Sequence, residues 1–159
     1  MTTKNTDLVA NFEATPPVLN NAAELAGVVR TAHGSVELAA GDSTDNDIVM
    51  LAPIPSNAAI PQLFVGSDTF GGSCTFNVGV YTSAGVVKDE DVFATSVADA
   101  AAMADVRYEA ADLDTGSKKL WELAGDSEDP GGYYYIAITF NATGGTAGTL
   151  NWNISYVID

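Results

Sequence analysis

Three carboxylates, Asp42, Asp45 and Asp47, lie within one short polar segment of the sequence. Carboxylate oxygens at close spacing are the ligands that a hard cation such as Ca²⁺ prefers. Counted from Asp42, however, the sixth and twelfth positions are Asp47 and Pro53, where an EF-hand loop needs glycine and glutamate. We therefore interpret the segment from Gly41 to Asp47 as a solvated turn, and the sequence leaves open whether it binds a cation.

A second acidic run, Asp89-Glu90-Asp91, has no ligand pattern of its own. Runs of like charge are typical of solvated surface segments. We interpret it as a solvated loop and not as a metal centre.

The triplet Asp114-Thr115-Gly116 resembles the signature around the catalytic aspartate of aspartic proteases, including the retroviral-type enzymes that work as dimers. Two such aspartates that meet across a dimer axis share a proton and activate a water for attack on a peptide bond. In that family the triplet follows a buried strand near the start of the chain, whereas here Glu109 and Asp112 precede it and Lys118-Lys119 follows. We interpret the triplet as a turn, and a retroviral-type protease is kept as an alternative.

Nucleophilic catalysis would depend on a single cysteine, Cys74, and a single histidine, His33. Cys74 lies on the apolar face of a predicted strand, where a thiol behaves as a small hydrophobic side chain. No Gly-x-Ser-x-Gly element accompanies His33, so a structural or surface role is expected for it. One cysteine allows no internal disulfide. We predict no catalytic, cofactor-binding or metal-binding residue and expect that the protein is not an enzyme.

Aromatic residues near the end of the chain suggest one further binding chemistry, the stacking of a sugar ring. Alternation along strands sends about half of them towards the core and leaves the other half for a ligand. The residues are Tyr133, Tyr134, Tyr135, Trp152 and Tyr156. A carbohydrate-binding role therefore stays open.

Length and charge limit the classes of partner. The chain has 159 residues, of which 47% are apolar, so one folded domain is expected. Against 21 Asp and Glu there are 6 Lys and Arg, which gives a formal charge of −15. Such a chain is repelled by phosphate backbones and anionic lipids, so neither nucleic acid nor membrane is expected as a partner. The first residues carry no signal-peptide pattern, so synthesis in the cytoplasm is expected.

Period-two alternation of apolar and polar residues dominates the sequence and predicts strands. The strand candidates are 28–33 and 35–38 (or one strand bent at Gly34), 48–52, 60–65, 74–81, 86–87, 133–140 and 150–158. Prolines at 53 and 55 are expected to stop the third candidate. Residues Gly144 to Gly148 predict a hairpin between the last two strands, and the alanine-rich stretch from Ser96 to Val106 predicts the one short helix.

These patterns together predict an all-β fold, an antiparallel β-sandwich that is either jelly-roll-like or immunoglobulin-like. Residues 1–27 differ from the rest because they mix polar and small residues around Pro16-Pro17. We expect an extended N-terminal arm over residues 1–27 and the sandwich domain over residues 28–159.

Three segments resemble small virion proteins of tailed bacteriophages, and capsid decoration (cement) proteins in particular. They are Arg30 to Leu38, Gly41 to Asp47 and Ile48 to Asn57, and the resemblance extends over roughly residues 28 to 81. The resemblance implies a structural virion protein on the capsid exterior that bridges major capsid subunits and often forms a homotrimer. The alternative is a tail-associated adhesin or carbohydrate-binding module.

Overall fold

The computed structural model describes residues 5–21, 24–25, 27–99, 102–109 and 113–158. Its elements, in chain order, are α1 (Asp7–Glu13), β1 (Val29–Leu38), β2 (Ile48–Pro55), β3 (Ala58–Ser67), β4 (Thr75–Tyr81), β5 (Val87–Ala98), β6 (Ala104–Asp105), a 3₁₀ helix (Leu113–Ser117), α2 (Leu120–Leu123), β7 (Tyr133–Phe140) and β8 (Gly148–Ile158).

The strands form two four-stranded sheets, in the orders β1-β8-β3-β6 and β2-β7-β4-β5. Strand β1 pairs with β8, β2 with β7, β3 with β6 and β4 with β5, and every pair is antiparallel. The strand pairs are therefore nested: the first strand pairs with the last, the second with the seventh, and so on towards the middle of the chain. The predicted all-β sandwich is confirmed.

The core lies between the two sheets and is built from the inward side chains that the alternation predicts. Phe140 of β7 meets Phe70 and Phe76 edge to face, with ring centroids 5.5 Å and 6.1 Å apart. Aromatic pairs favour this geometry because the positive edge of one ring meets the negative face of the other. The fully buried residues around them include Ile54, Ile60, Leu63, Phe93, Ile136, Ile138, Leu150 and Ile154.

Strand β4 is buried on both faces, whereas its alternation predicts a half-buried strand. Asn77 and Tyr81, on the side that was expected to face water, are both buried. The cause is β5, whose register against β4 shifts between Val78 and Val80. A Cβ added to Gly79 would lie 2.1 Å from the carbonyl oxygen of Asp89, so the backbone of β5 crosses directly over this glycine.

The predicted terminal hairpin is wrong. Strands β7 and β8 lie in different sheets, so the glycine-rich segment between them carries the chain from one sheet to the other. A Cβ on Gly144 would lie 2.5 Å from Ser43 Oγ and 2.8 Å from the carbonyl oxygen of Phe70. Glycine at this crossing is needed for close approach and not for a hairpin turn.

The first strand continues through Gly34 and pairs with β8 without a bulge. Gly34 lies opposite Trp152, and a Cβ there would be 2.7 Å from the indole ring, so the glycine makes room for tryptophan. Strand β2 continues through Pro53 to Pro55, although these prolines were expected to stop it. It is an edge strand, where a missing N–H costs no ladder hydrogen bond if it faces outward.

The helix predicted over Ser96 to Val106 is wrong. Strand β5 continues to Ala98 beside Thr75, and Ala104–Asp105 pairs with β3. Pairing with neighbouring strands thus overrides the helix preference of alanine. Ala100 and Ala101 lie outside the described residues.

We predict that Gly79→Ala lowers the free energy of unfolding by about 1–3 kcal/mol or more, because the new methyl group would overlap the β5 backbone. Gly41→Ala is the matched control, since a Cβ there meets nothing within 4 Å. Urea unfolding measures both. Equal midpoints for the two variants would contradict the close crossing of β5 over β4.

Candidate functional site

The N-terminal segment folds into a small unit of its own, which we call the N-terminal knob and define as residues 7–20. Helix α1 ends at Glu13, and the chain then turns back along it. The backbone N–H of Val18 donates to the carbonyl oxygen of Asn11 at 3.0 Å. The Asn11 amide donates to Asn20 Oδ1 at 2.9 Å, and the Asn20 amide donates to the carbonyl oxygen of Leu8 at 3.2 Å.

The N-terminal knob exposes four of its larger apolar side chains to solvent. Helix α1 has no buried residue. Phe12 is 75% exposed and Leu19 is 96% exposed, and Val9 and Val18 are exposed beside them in sequence. Exposed apolar side chains that are grouped in this way are typical of surfaces that bind another macromolecule. The knob is therefore the candidate docking site of the molecule.

The Asp114-Thr115-Gly116 triplet lies in the 3₁₀ helix Leu113–Ser117 and not in a turn between paired strands. The side chain of Asp114 is exposed, whereas Thr115 is buried. A Cβ on Gly116 would lie 2.5 Å from the hydroxyl of Tyr108, so the triplet packs closely against this ring. These contacts give the triplet a structural role.

Thr115 contacts Arg107, a fully buried arginine that no motif of the sequence indicates. Arg107 Nε donates to the carbonyl oxygen of Ile60 at 2.7 Å, and Nη2 donates to the carbonyl oxygen of Thr115 at 2.9 Å. Its guanidinium carbon lies 5.0 Å from the ring centre of Phe93 and 4.8 Å from that of Tyr108. The side chain joins β3, β5 and the 3₁₀ helix.

Burial lowers the pKa of Arg107 below its usual value, while the nearby Tyr108 and Asp105 act in the opposite direction. A buried guanidinium is tolerated when its N–H groups are hydrogen-bonded and its charge faces aromatic rings. The two backbone carbonyl oxygens and the two rings provide those contacts here.

Two aspartates of the segment 41–47, Asp42 and Asp47, stabilise local turns. Asp42 Oδ2 accepts a hydrogen bond from the backbone N–H of Ala39 at 2.9 Å. Asp47 accepts from the N–H and hydroxyl of Thr44, and these bonds lower the pKa of its carboxyl group. Within the described residues, no three His, Cys, Asp or Glu side chains form a group that could hold a metal ion.

The second acidic run lies in strand β5 and not in a loop. Asp89 is half-buried where β5 crosses β4, and burial raises the pKa of its carboxyl group. Burial also raises the pKa of Tyr81, whose hydroxyl group is hydrogen-bonded to Thr139. The interpretation of this run as a solvated loop is wrong, since the wide bulge of β5 places it over the neighbouring strand.

Cys74 and His33 have different environments, since Cys74 is buried and His33 is exposed. Cys74 is buried, its Sγ donates to the carbonyl oxygen of Ala142 at 3.1 Å, and burial raises the pKa of the thiol. His33 is exposed on β1, opposite Asn153 of β8. The expected core position of Cys74 is confirmed.

The tyrosines of β7 divide between core and surface. Tyr133 is 63% exposed, whereas Tyr134 is buried and its hydroxyl donates to Asp126, which also binds Lys88 at 2.8 Å. Burial and the bond to Asp126 raise the pKa of Tyr134 to about 12. Tyr135, Trp152 and Tyr156 are half-buried. The chain thus exposes one of these five rings, and the predicted stacking platform is reduced to Tyr133.

Two solved phage capsid structures contain chains that are similar to this one. The chain is similar to a chain of the cyanophage Pam1 capsid asymmetric unit, with 15% identity and a TM-score of 0.46, covering 84% of this chain and 86% of that one. It is also similar to a chain of the acid-stable capsid of Helicobacter pylori bacteriophage KHP30, with 13% identity and a TM-score of 0.37, covering 82% and 94%.

No protein-family model matches the sequence, and the comparison with curated proteins finds no match. Among the helices of the described residues, none has the length and apolar character that a membrane crossing requires.

We predict that Arg107→Met lowers the free energy of unfolding by about 3 kcal/mol, because it leaves buried carbonyl oxygens without donors. Arg107→Lys also destabilises the protein, since a single ammonium group cannot reach both carbonyl oxygens in the plane that the guanidinium occupies. The exposed Arg30→Met changes stability by about 0.5 kcal/mol or less. Denaturant unfolding checks all three variants, and wild-type stability of Arg107→Met would contradict the structural role of the guanidinium.

Proposed function

We propose that this protein is a structural virion protein that binds the outer surface of a bacteriophage capsid and stabilises the shell by bridging neighbouring major capsid subunits. The observation that carries the proposal is the N-terminal knob. In this knob the side chains of Phe12 and Leu19 are exposed to solvent. Hydrogen bonds of the Asn11 and Asn20 side chains hold the backbone of the knob in place. The resemblance of residues 28 to 81 to decoration proteins supports the same role.

A preformed docking unit has a physical advantage over a flexible tail. Full burial of a Phe or Leu side chain contributes about 1.5–3 kcal/mol each. Because the hydrogen bonds between Asn11, Asn20 and Leu8 already order the backbone around them, less conformational entropy is lost on binding. A knob that enters an apolar hollow on one subunit, while the sandwich rests on the next, would bridge the two.

The charge of the chain supports an exterior position. A formal charge of −15 repels packaged nucleic acid, so a place on the inner, genome-facing side of the shell would be unfavourable. On the outer surface this repulsion is avoided, because the shell separates the chain from the packaged nucleic acid.

We further propose that the protein acts as a homotrimer. Three knobs on one assembly would engage three neighbouring subunits, and the second and third contacts would form at high effective concentration. Weak individual contacts would then give stable attachment.

We predict that the double variant Phe12→Ser/Leu19→Ser loses affinity for shells assembled without this protein by roughly 30-fold or more, as for the loss of a central apolar contact. Co-sedimentation with the shells measures the affinity. The matched control is Leu113→Ser, which removes a side chain that is 83% exposed and lies outside the knob. Equal binding by both variants would contradict docking through the knob.

We predict a solution mass of about 49 kDa by light scattering, from three chains of 16.4 kDa. The mass should stay constant between moderate and high salt if apolar contacts hold the trimer. A mass of one chain at all concentrations tested would contradict the preformed trimer.

A further inference from the structure

Each sheet of the sandwich ends in two edge strands, and unpaired edges carry a risk of pairing with other chains. The edges are β1 and β6 in one sheet and β2 and β5 in the other. Natural proteins protect such edges by shortening them, by introducing proline or by bulging the strand.

Three of the four edges carry such protection. Strand β6 has two residues. Strand β2 contains Pro53 and Pro55 and shifts register between Met50 and Ala52. Strand β5 shifts register three times against β4.

Strand β1 carries none of these devices. It has ten residues without a proline, and it pairs with β8 in unbroken register from Val29 to Leu38. In the described part of the chain, β1 pairs with β8 alone, so its outer edge is open. Alternate N–H and C=O groups along that edge point away from β8 because of the antiparallel hydrogen-bond pattern.

We propose that the open edge of β1 is a strand-addition site for an extended, proline-free segment of a capsid shell subunit that carries more Lys and Arg than Asp and Glu. The segment would add a fifth strand to the sheet β1-β8-β3-β6 through main-chain hydrogen bonds. The inference rests on the proposed function, since it names the chemistry of the partner at the shell.

Charge selects this occupant over a second copy of the chain. Two copies each carry −15 and repel each other, and the exposed side chains of β1 from Arg30 to Glu37 are polar, so pairing of two copies along this stretch would bury no exposed apolar side chain that could offset the repulsion. A cationic segment is attracted instead. The side chains of β1 do not oppose its approach, because Arg30 and Glu37 balance each other and the exposed positions between them are Thr31, His33 and Ser35.

Hydrogen exchange read by mass spectrometry tests the proposal on the full chain, free and bound to shells assembled without it. We expect the amides on the open edge of β1 to exchange at least tenfold more slowly on the shells, while exchange in β2, an edge strand of the other sheet, is unchanged. Sedimentation with the shells but unchanged exchange in β1 would overturn the strand-addition site and leave the proposed function intact. No sedimentation at all would overturn the proposed function itself.

A second copy as occupant gives a different result. Exchange of β1 in the free protein would then slow with rising protein concentration, and this outcome would overturn the choice of a shell segment.

Proline substitution supplies an independent test, because the N–H groups of neighbouring residues in a strand point to opposite sides. Of Thr31→Pro and Ala32→Pro, one removes a hydrogen bond to β8 and the other removes only an edge donor. The variant that keeps the wild-type melting temperature should bind shells at least tenfold more weakly. Thr31→Ala keeps every backbone donor and should bind as the wild type does. Wild-type binding by both proline variants would overturn the proposal.

Discussion

The removal of apolar side chains from water between two sheets is the constraint on which this structure depends. Phe70, Phe76 and Phe140 meet between the sheets, and the nested strand pairs bring distant parts of the chain to them. The N-terminal knob does not meet this constraint within the described chain, since Phe12 and Leu19 stay in water. The proposed docking role follows from that contrast between a filled core and an exposed apolar knob.

Several polar side chains that were candidates for catalysis or metal binding stabilise the fold. The Asp-Thr-Gly triplet presents Thr115 to the buried Arg107, and Asp47 caps a turn through Thr44. Cys74 is a core thiol whose proton is held more firmly because burial raises its pKa. These three side chains thus hold segments of the chain together. The two surfaces that we propose for function are the apolar knob and the open edge of β1.

Strands were predictable from the sequence, and their arrangement was not. Alternation from Tyr133 to Phe140 identifies β7 because one side of it faces the core, yet the following glycines do not encode which sheet the chain enters next. Alanine around Ser96 favours helix locally, but pairing of β5 with β4 depends on residues more than a dozen positions away. The knob is stabilised by a hydrogen bond between Asn11 and Asn20, and the buried Arg107 is hydrogen-bonded to Ile60. Because both contacts join residues that are separated in the sequence, no short motif predicts either of them.

Electron microscopy of shells with and without the added protein would locate the protein on the capsid. We expect extra density on the outer surface alone, with the knob bound to one shell subunit and the sandwich in contact with a neighbouring one. Density on the inner surface, or density confined to a single subunit, would contradict it.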